Sequence, residues 1–247
     1  MPRKALVLAV LLAIAITAPL ILNSYAAIPP KTEKRGGSLR VALLDDVKTL
    51  NPIYAMSVWD WYVLGLIYDG LTNVDPETLE VIPWIAESWE QDPDDPTHWT
   101  WHIRHDVYWH DGQKLDGYDV WFTYKFYRDG AAAYGFARYI TYAKFVEKVW
   151  VDERDPYTVH VKLYESYAPF TRYLTASPLL PEHIWGPAFV EGYDAEKHEA
   201  PEYPFTNPLR GKPMMIWKIR EEKLRATFMP DLTGCGPFKW EARVAGQ

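Results

Sequence analysis

The sequence predicts a mixed α/β fold, and three observations carry that expectation. Apolar residues alternate with a period of two in short runs, most clearly Trp99, Trp101 and Ile103. Others recur at helical spacing, as in Trp59, Tyr62, Val63, Leu66 and Ile67. Turn-forming groups such as Asp75-Pro76-Glu77-Thr78 and Asp155-Pro156 separate them. With 48% hydrophobic and 24% charged residues among 247, the chain has the composition of a protein that buries a core.

At the N-terminus Arg3 and Lys4 precede an uncharged apolar run from Ala5 to Leu22, followed by the small residues Ser24, Ala26 and Ala27. Residues 1–27 therefore read as an export signal cut near Ala26 or Ala27, or as an uncleaved membrane anchor. At 1.5 Å per residue the run reaches about 27 Å, close to a ~30 Å hydrocarbon core, so both readings stand. Either one, with the cations on the inner side, places the rest outside the cytoplasm, periplasmic or at the cell surface. Ser, Tyr and Ala follow the run where a lipid-anchored protein needs cysteine. The single cysteine, Cys235, excludes an internal disulfide and every zinc site of several thiolates. Net charge is −7, and −9 without Arg3 and Lys4, which argues against nucleic-acid binding.

Residues 28–36, with two prolines and several basic residues, read as a linker. Leu39, Val41 and Leu43 then alternate as a strand, Leu50-Asn51-Pro52 makes a turn, and a helix over Trp59–Asp69 is stopped by Gly70. Ile85–Trp89 is a short element before the break at Asp92–Pro96, and Thr97–Arg104 is a strand with its tryptophans on one face. After the turn His110-Asp111-Gly112, Asp116 caps a helix with Asp119 three residues on, running to about Tyr127. Val149 and Val151, with Val159, Val161 and Leu163, form a hairpin around Asp155-Pro156. Tyr193–Pro213, with four prolines, reads as an irregular loop, and Ile216–Arg220 as a short strand.

Several ordered motifs carry a resemblance: Gly36-Gly37-Ser38-Leu39-Arg40-Val41, Leu50-Asn51-Pro52, Ile67-Tyr68-Asp69-Gly70-Leu71 and Pro83-Trp84-Ile85-Ala86-Glu87-Ser88-Trp89. Trp99–Arg104, Val107–Gly112, Pro181-Glu182-His183-Ile184-Trp185 and Thr233-Gly234-Cys235-Gly236-Pro237-Phe238 follow in order. Over residues 36–247 the chain resembles the family 5 solute-binding proteins, the peptide/nickel-type capture components of ABC importers. Asp69, Asp116 and Cys235 depart from the Glu, Thr or Ser, and Thr usual there.

The resemblance implies a periplasmic-binding-protein-like class II fold, whose two lobes close on a solute and deliver it to permease subunits. It implies that residues 37–247 are lobe I alone, a fragment ending where the family builds lobe II. Residues 37–69 and 179–247 would form the hinge subdomain, with 70–178 inserted. The ligand would lie beside Met56, Ser57, Val58 and Trp59, with Phe136 and Tyr139 contributing aromatics. Backbone pairing with an extended oligopeptide or dipeptide fits such a loop, while the abundant tryptophans suit an oligosaccharide equally. No cofactor, metal or catalytic residue is expected.

Two rival readings are weaker. His98, His102, His105 and His110 fall within 13 residues, but on one strand His98 and His102 are about 13 Å apart, too far to share an ion. A secreted glycoside hydrolase needs two facing carboxylates beside aromatics. The pairs Asp45-Asp46, Asp94-Asp95 and Glu221-Glu222 fall instead in expected surface loops.

Overall fold

A computed structural model of the chain describes residues 37–226 and 232–242. The expected export run and linker lie outside the described residues, among which no helix is long and apolar enough to cross a membrane. The chain divides into two units, residues 1–42 and 43–247. In the first, residues 37–42 form no strand, and Leu39 and Val41 are exposed. The expected strand at Leu39–Leu43 is thus corrected: alternation makes a strand only where a neighbouring edge takes up its backbone groups.

The second unit is built around a four-stranded antiparallel sheet, ordered β3-β4-β6-β5. The strands are β3 (Ala86–Gln91), β4 (His98–Ile103), β5 (Val146–Val151) and β6 (Thr158–Leu163). A separate pair, β1 (Thr72–Val74) and β2 (Val81–Pro83), precedes it. In register, Trp89 faces Trp101, Trp101 faces Val159, and Val159 faces Val151, so one row of apolar side chains crosses the sheet. Trp89 stacks on Trp101 at 5.3 Å, and Phe170 closes against Trp99 and Trp101. The other face carries His98, Thr100, His102, His160 and Lys162, which is the polar-out half of the alternation.

Helix α1 spans Val58–Ile67 and α2 spans Gly117–Tyr134. Both open with a capping box, Ser57 with Asp60 and Asp116 with Asp119. Asp119 is buried: its carboxyl accepts hydrogen bonds from Glu182 N (2.9 Å), Trp109 Nε1 (3.0 Å) and Asp116 N (3.2 Å). Desolvation prevails over these donors and pushes its pKa up to about 8.

Helix α2 continues well past Tyr127, and its packing explains why. Asp129, fully buried, pairs with Lys125 and Arg128 and accepts the Trp217 amide at 2.9 Å. Arg128 also donates to the Glu147 and Met215 carbonyls, binding the helix to β5 and to a later hairpin. At Gly130 a Cβ would lie 2.0 Å from the buried Phe136 ring, so glycine is retained inside the helix for close packing. After α2 come a 3₁₀ turn (Ala137–Tyr139), α3 (Ile140–Phe145), α4 (Phe170–Tyr173) and α5 (Glu182–Phe189).

The stretch expected to be irregular, Tyr193–Pro213, contains strand β7 (Glu202–Asn207), which pairs antiparallel with β8 (Lys212–Trp217). Prolines 204 and 213 are tolerated because a two-stranded ribbon leaves each strand one open edge, where a missing N–H costs nothing. Asn207 shapes the turn: its carbonyl accepts the Gly211 amide at 2.7 Å, and its side chain donates to the Ala143 carbonyl. β8 ends at Trp217, so the expected strand Ile216–Arg220 reduces to one further bridge, Ile219 to Val190. Helix α6 (Glu221–Ala226) follows.

α1 also ends differently from the expectation. Tyr68 turns extended, and Gly70 is not the stop. A Cβ at Gly70 would lie 2.6 Å from the Thr175 carbonyl oxygen, so glycine there permits two backbone segments to approach.

Candidate functional site

The segment before α1 is held by two buried polar residues. Asn51 accepts the Ile53 amide at 3.0 Å through Oδ1 and donates to the Leu224 carbonyl at 2.9 Å, tying the Leu50-Asn51-Pro52 turn to α6. Asp60 accepts from Lys48 N (2.7 Å), Thr49 N (3.4 Å) and Ser57 N (3.4 Å), so one carboxyl fixes both ends of residues 48–57. Ser57 Oγ in turn accepts the Trp59 amide. Trp61 Nε1 donates to the Ala55 carbonyl at 2.9 Å, with the Arg138 guanidinium 3.7 Å over its ring. Tyr54 donates to Glu221 at 2.9 Å; burial, then this contact, raise its pKa above the ordinary phenol value.

This frame presents an apolar surface. Met56 is 68% exposed and Val58 54%, with Ser57 and Trp59 half-buried beside them. Along α1, Tyr62 and Leu66 follow Val58 at four-residue spacing and are also exposed, with Trp59 5.6 Å from Tyr62. Phe238, also exposed, joins the patch by donating its amide to the Leu66 carbonyl at 3.0 Å. α1 is apolar around its circumference save for Asp60, yet only Leu64 and Ile67 join Asp60 in the interior. Tyr62, Leu66 and Phe238 were not anticipated at the surface, since helical spacing alone does not say which apolar stripe is covered. Asp60 was missed as well, although the spacing Ser57-Val58-Trp59-Asp60 is the signal of a capping box that could have found it.

Phe136 and Tyr139 lie elsewhere, in the core at 1% exposure each. Tyr139 stacks on Tyr127 at 3.7 Å and donates to the Pro52 carbonyl at 3.0 Å; Phe136 meets Tyr54 edge-on at 6.0 Å. Both therefore stand behind the turn that carries Met56–Trp59, on its inner side.

The histidines expected to be too far apart along one strand are dispersed. His110 donates through Nε2 to the Gly236 carbonyl and accepts the Gly234 amide at Nδ1, fastening the Gly234-Cys235-Gly236 segment. His105 lies against Tyr157, the rings tilted by 34°, and His102 contacts Thr158. A cavity of about 670 Å³ opens between α2, β5 and the β7–β8 hairpin, beside Trp121, Lys125 and Arg128. Lys125 and Arg128 are committed there to Asp129, Glu202 and backbone carbonyls, which makes the cavity's floor a structural ion network.

Comparison with known proteins is consistent with this architecture. The Haemophilus influenzae protein named periplasmic oligopeptide-binding protein OppA is 37% identical over 76 residues, 31% of this chain and 14% of that protein. A putative ABC transporter peptide-binding protein of Brucella ovis is 30% identical over 133 residues, 54% of this chain and 24% of its own. The chain thus spans less than a quarter of the length of these relatives in the matched regions. Among solved structures, the oligopeptide-binding protein AppA of Bacillus subtilis superposes with a TM-score of 0.56 at 23% identity. That match covers 80% of this chain and 32% of that one. NikZ from Campylobacter jejuni gives 0.51 at 21% over the same shares. The superpositions show the fold: this chain matches about a third of each of those two solved proteins. The family model described as bacterial extracellular solute-binding proteins, family 5 Middle, matches residues 80–247, well over half of the sequence, and the chain belongs to that family.

Proposed function

We propose that the chain contributes one face of an extracytoplasmic receptor that captures an oligopeptide or dipeptide and delivers it to the permease subunits of an ABC importer. The observation that carries this reading is the Met56-Ser57-Val58-Trp59 segment, exposed at Met56 and Val58 and held in place by buried Asn51 and Asp60. Met56 and Ser57 form the end of the loop and Val58 and Trp59 open α1, so this fixed corner offers a peptide chiefly the adaptable apolar contact of Met56, Val58 and Trp59. Phe136 and Tyr139 serve it from behind, by bracing Tyr54 and Pro52. The peptide-binding names of the curated relatives support the same ligand class.

In this reading the binding cycle involves no bond breaking, and the chain is not an enzyme. The described fold is compatible with a hinge subdomain of residues 37–69 and 179–247 and an inserted one of 70–178. The Asp69 carbonyl accepts the Leu179 amide at 2.9 Å, joining the two crossing points, and the four-stranded sheet lies wholly within 70–178. Residues 5–22 would export the protein or anchor it at the outer membrane face.

The test is calorimetric titration of the full protein with di- to pentapeptides and, separately, oligosaccharides. Saturable peptide binding without turnover is expected, weakened about tenfold by Met56→Ala or Trp59→Ala with the unfolding temperature unchanged. Binding of oligosaccharides alone would move the ligand class. Hydrolysis of the bound compound would overturn the receptor reading.

A further inference from the structure

The polar face of the four-stranded sheet brings together two histidines from neighbouring strands. His98 on β4 and His160 on β6 are diagonal neighbours, and His98 Nε2 lies 3.3 Å from His160 Nδ1. Trp150 stacks against both rings, at 5.4 Å and 5.1 Å with interplanar angles of 22° and 18°, limiting their rotation. Each histidine turns its other nitrogen to a carboxylate: His98 Nδ1 is 3.6 Å from Asp92, and His160 Nε2 is 3.5 Å from Asp152.

A neutral imidazole has one N–H, and a carboxylate only accepts. The aspartate charges favour the hydrogen of each ring on its outer nitrogen, at charge-pair rather than hydrogen-bond distance. In that tautomer the inner nitrogens face one another with lone pairs, which a metal ion between them would satisfy; with a hydrogen on either inner nitrogen the same 3.3 Å is an N–H···N hydrogen bond. Among the described residues the Thr100 hydroxyl also reaches His160 Nδ1, at 3.2 Å, and would turn to a metal-bound water when an ion occupies that nitrogen.

The spacing suits a metal. Two imidazole nitrogens bound at 2.0–2.1 Å to a tetrahedral ion are about 3.3 Å apart, with ring centroids about 5.2 Å apart; here the centroids are 5.3 Å apart. Carboxylates on the outer ring nitrogens are the usual support for metal-bound histidine, fixing the tautomer and raising ligand basicity. Both histidines retain solvent access, with side chains 25% and 17% exposed. On this face Lys162 is tied to Asp95, and the Lys148 ammonium sits over the Trp150 ring at 5.1 Å.

From these observations we propose that His98 and His160 form a binding site for a divalent transition-metal ion of the imidazole-preferring class, Zn²⁺, Ni²⁺ or Cu²⁺. Asp92 and Asp152 act as its orienting partners. No set of three or more His, Cys, Asp or Glu ligands is assembled among the described residues, so water completes the coordination shell. The sequence argument against a metal concerned His98 with His102, two residues of one strand; the cross-strand partner His160 escapes it. The site is independent of the peptide-facing surface.

The experiment is calorimetric titration of the full chain, without a histidine tag, with ZnCl₂ and with NiCl₂ near neutral pH. Proton NMR of the imidazole Cε1–H signals follows in parallel. One ion per chain is expected, with the His98 and His160 signals shifting together. His98→Gln or His160→Gln should abolish uptake, and Asp92→Asn or Asp152→Asn should weaken it about tenfold. His102→Ala should leave it unchanged. The proposal is overturned if the His98→Gln/His160→Gln double variant, shown folded by circular dichroism, takes up the ion as the wild type does. It fails equally if the two signals stay fixed at saturating zinc, which would assign a shared proton to the gap.

Discussion

Removing the Asp60 carboxyl should loosen the whole segment that presents Met56–Trp59. In Asp60→Ala, the Lys48, Thr49 and Ser57 amides lose their acceptor. The bond to Lys48, at 2.7 Å, is the short one, and stranding its donor costs about 1–3 kcal/mol. The two at 3.4 Å are long, and losing the reciprocal half of the cap adds about 1 kcal/mol. Alanine returns roughly 0.5 kcal/mol through better helix propensity. The net expectation is about 2–3 kcal/mol, read as a lower urea midpoint at unchanged m-value. Asp60→Asn, which keeps one acceptor oxygen for Lys48, should cost about half as much. Hydrogen exchange supplies the local readout, with faster exchange at Lys48 and Ser57 before global unfolding. A change below about 0.5 kcal/mol, with Lys48 protection intact, would refute the assignment of Asp60 as the anchor of this segment.

Other outcomes follow from single features of the core. The buried Tyr124 hydroxyl has no hydrogen-bond partner among the described residues, so Tyr124→Phe should leave stability unchanged or raise it by up to ~1 kcal/mol; a loss above that would reveal a hidden partner. Tyr139→Phe, by contrast, frees the Pro52 carbonyl and should cost about 1 kcal/mol by urea titration. Gly130→Ala drives a methyl into the Phe136 ring, and overpacking of about 2 kcal/mol should outweigh the ~1 kcal/mol of helix propensity gained. Asp119, with its folded pKa raised to about 8, keeps a proton in the folded chain that the unfolded chain releases above about pH 4. Its stabilising contribution is complete below pH 4 and lost as pH climbs to 8. Burial shifts Asp69 and Asp116 upward too and adds to the same slope. Thermal midpoints between pH 5 and 8 should therefore decline less steeply in Asp119→Asn than in the wild type, and equal slopes would reject the shift.

What could be read from the residues followed local physics. The alternation through Trp99, Trp101 and Ile103, the Val149–Leu163 hairpin and the Asp116–Asp119 cap each need only near neighbours, and each is present as β4, β5–β6 and the start of α2. Features set at long range were misread. α2 overruns Tyr127 because Phe136 and the Asp129 ion network hold its last turns. β7 hid behind prolines that an open-edged ribbon accommodates. The loop after Asn51-Pro52 enters the proposed site on its motif. The depth of Phe136 and Tyr139, and the exposure of Tyr62 and Leu66, depended on which faces the rest of the chain covers.

The bond from Asn51 to the Leu224 carbonyl closes a loop of 173 positions, and the Ile67 and Leu66 carbonyls are met by the amides of Gly236 and Phe238. The first helix among the described residues thus waits for nearly the last of them before its final turn is tied off. Closing so long a loop is slow, because its entropy is paid before any contact repays it. Until then α1 is an unfinished apolar cylinder in water. That interval, rather than the finished fold, is when the nascent chain is most exposed to aggregation and to any chaperone that recognises bare apolar helix.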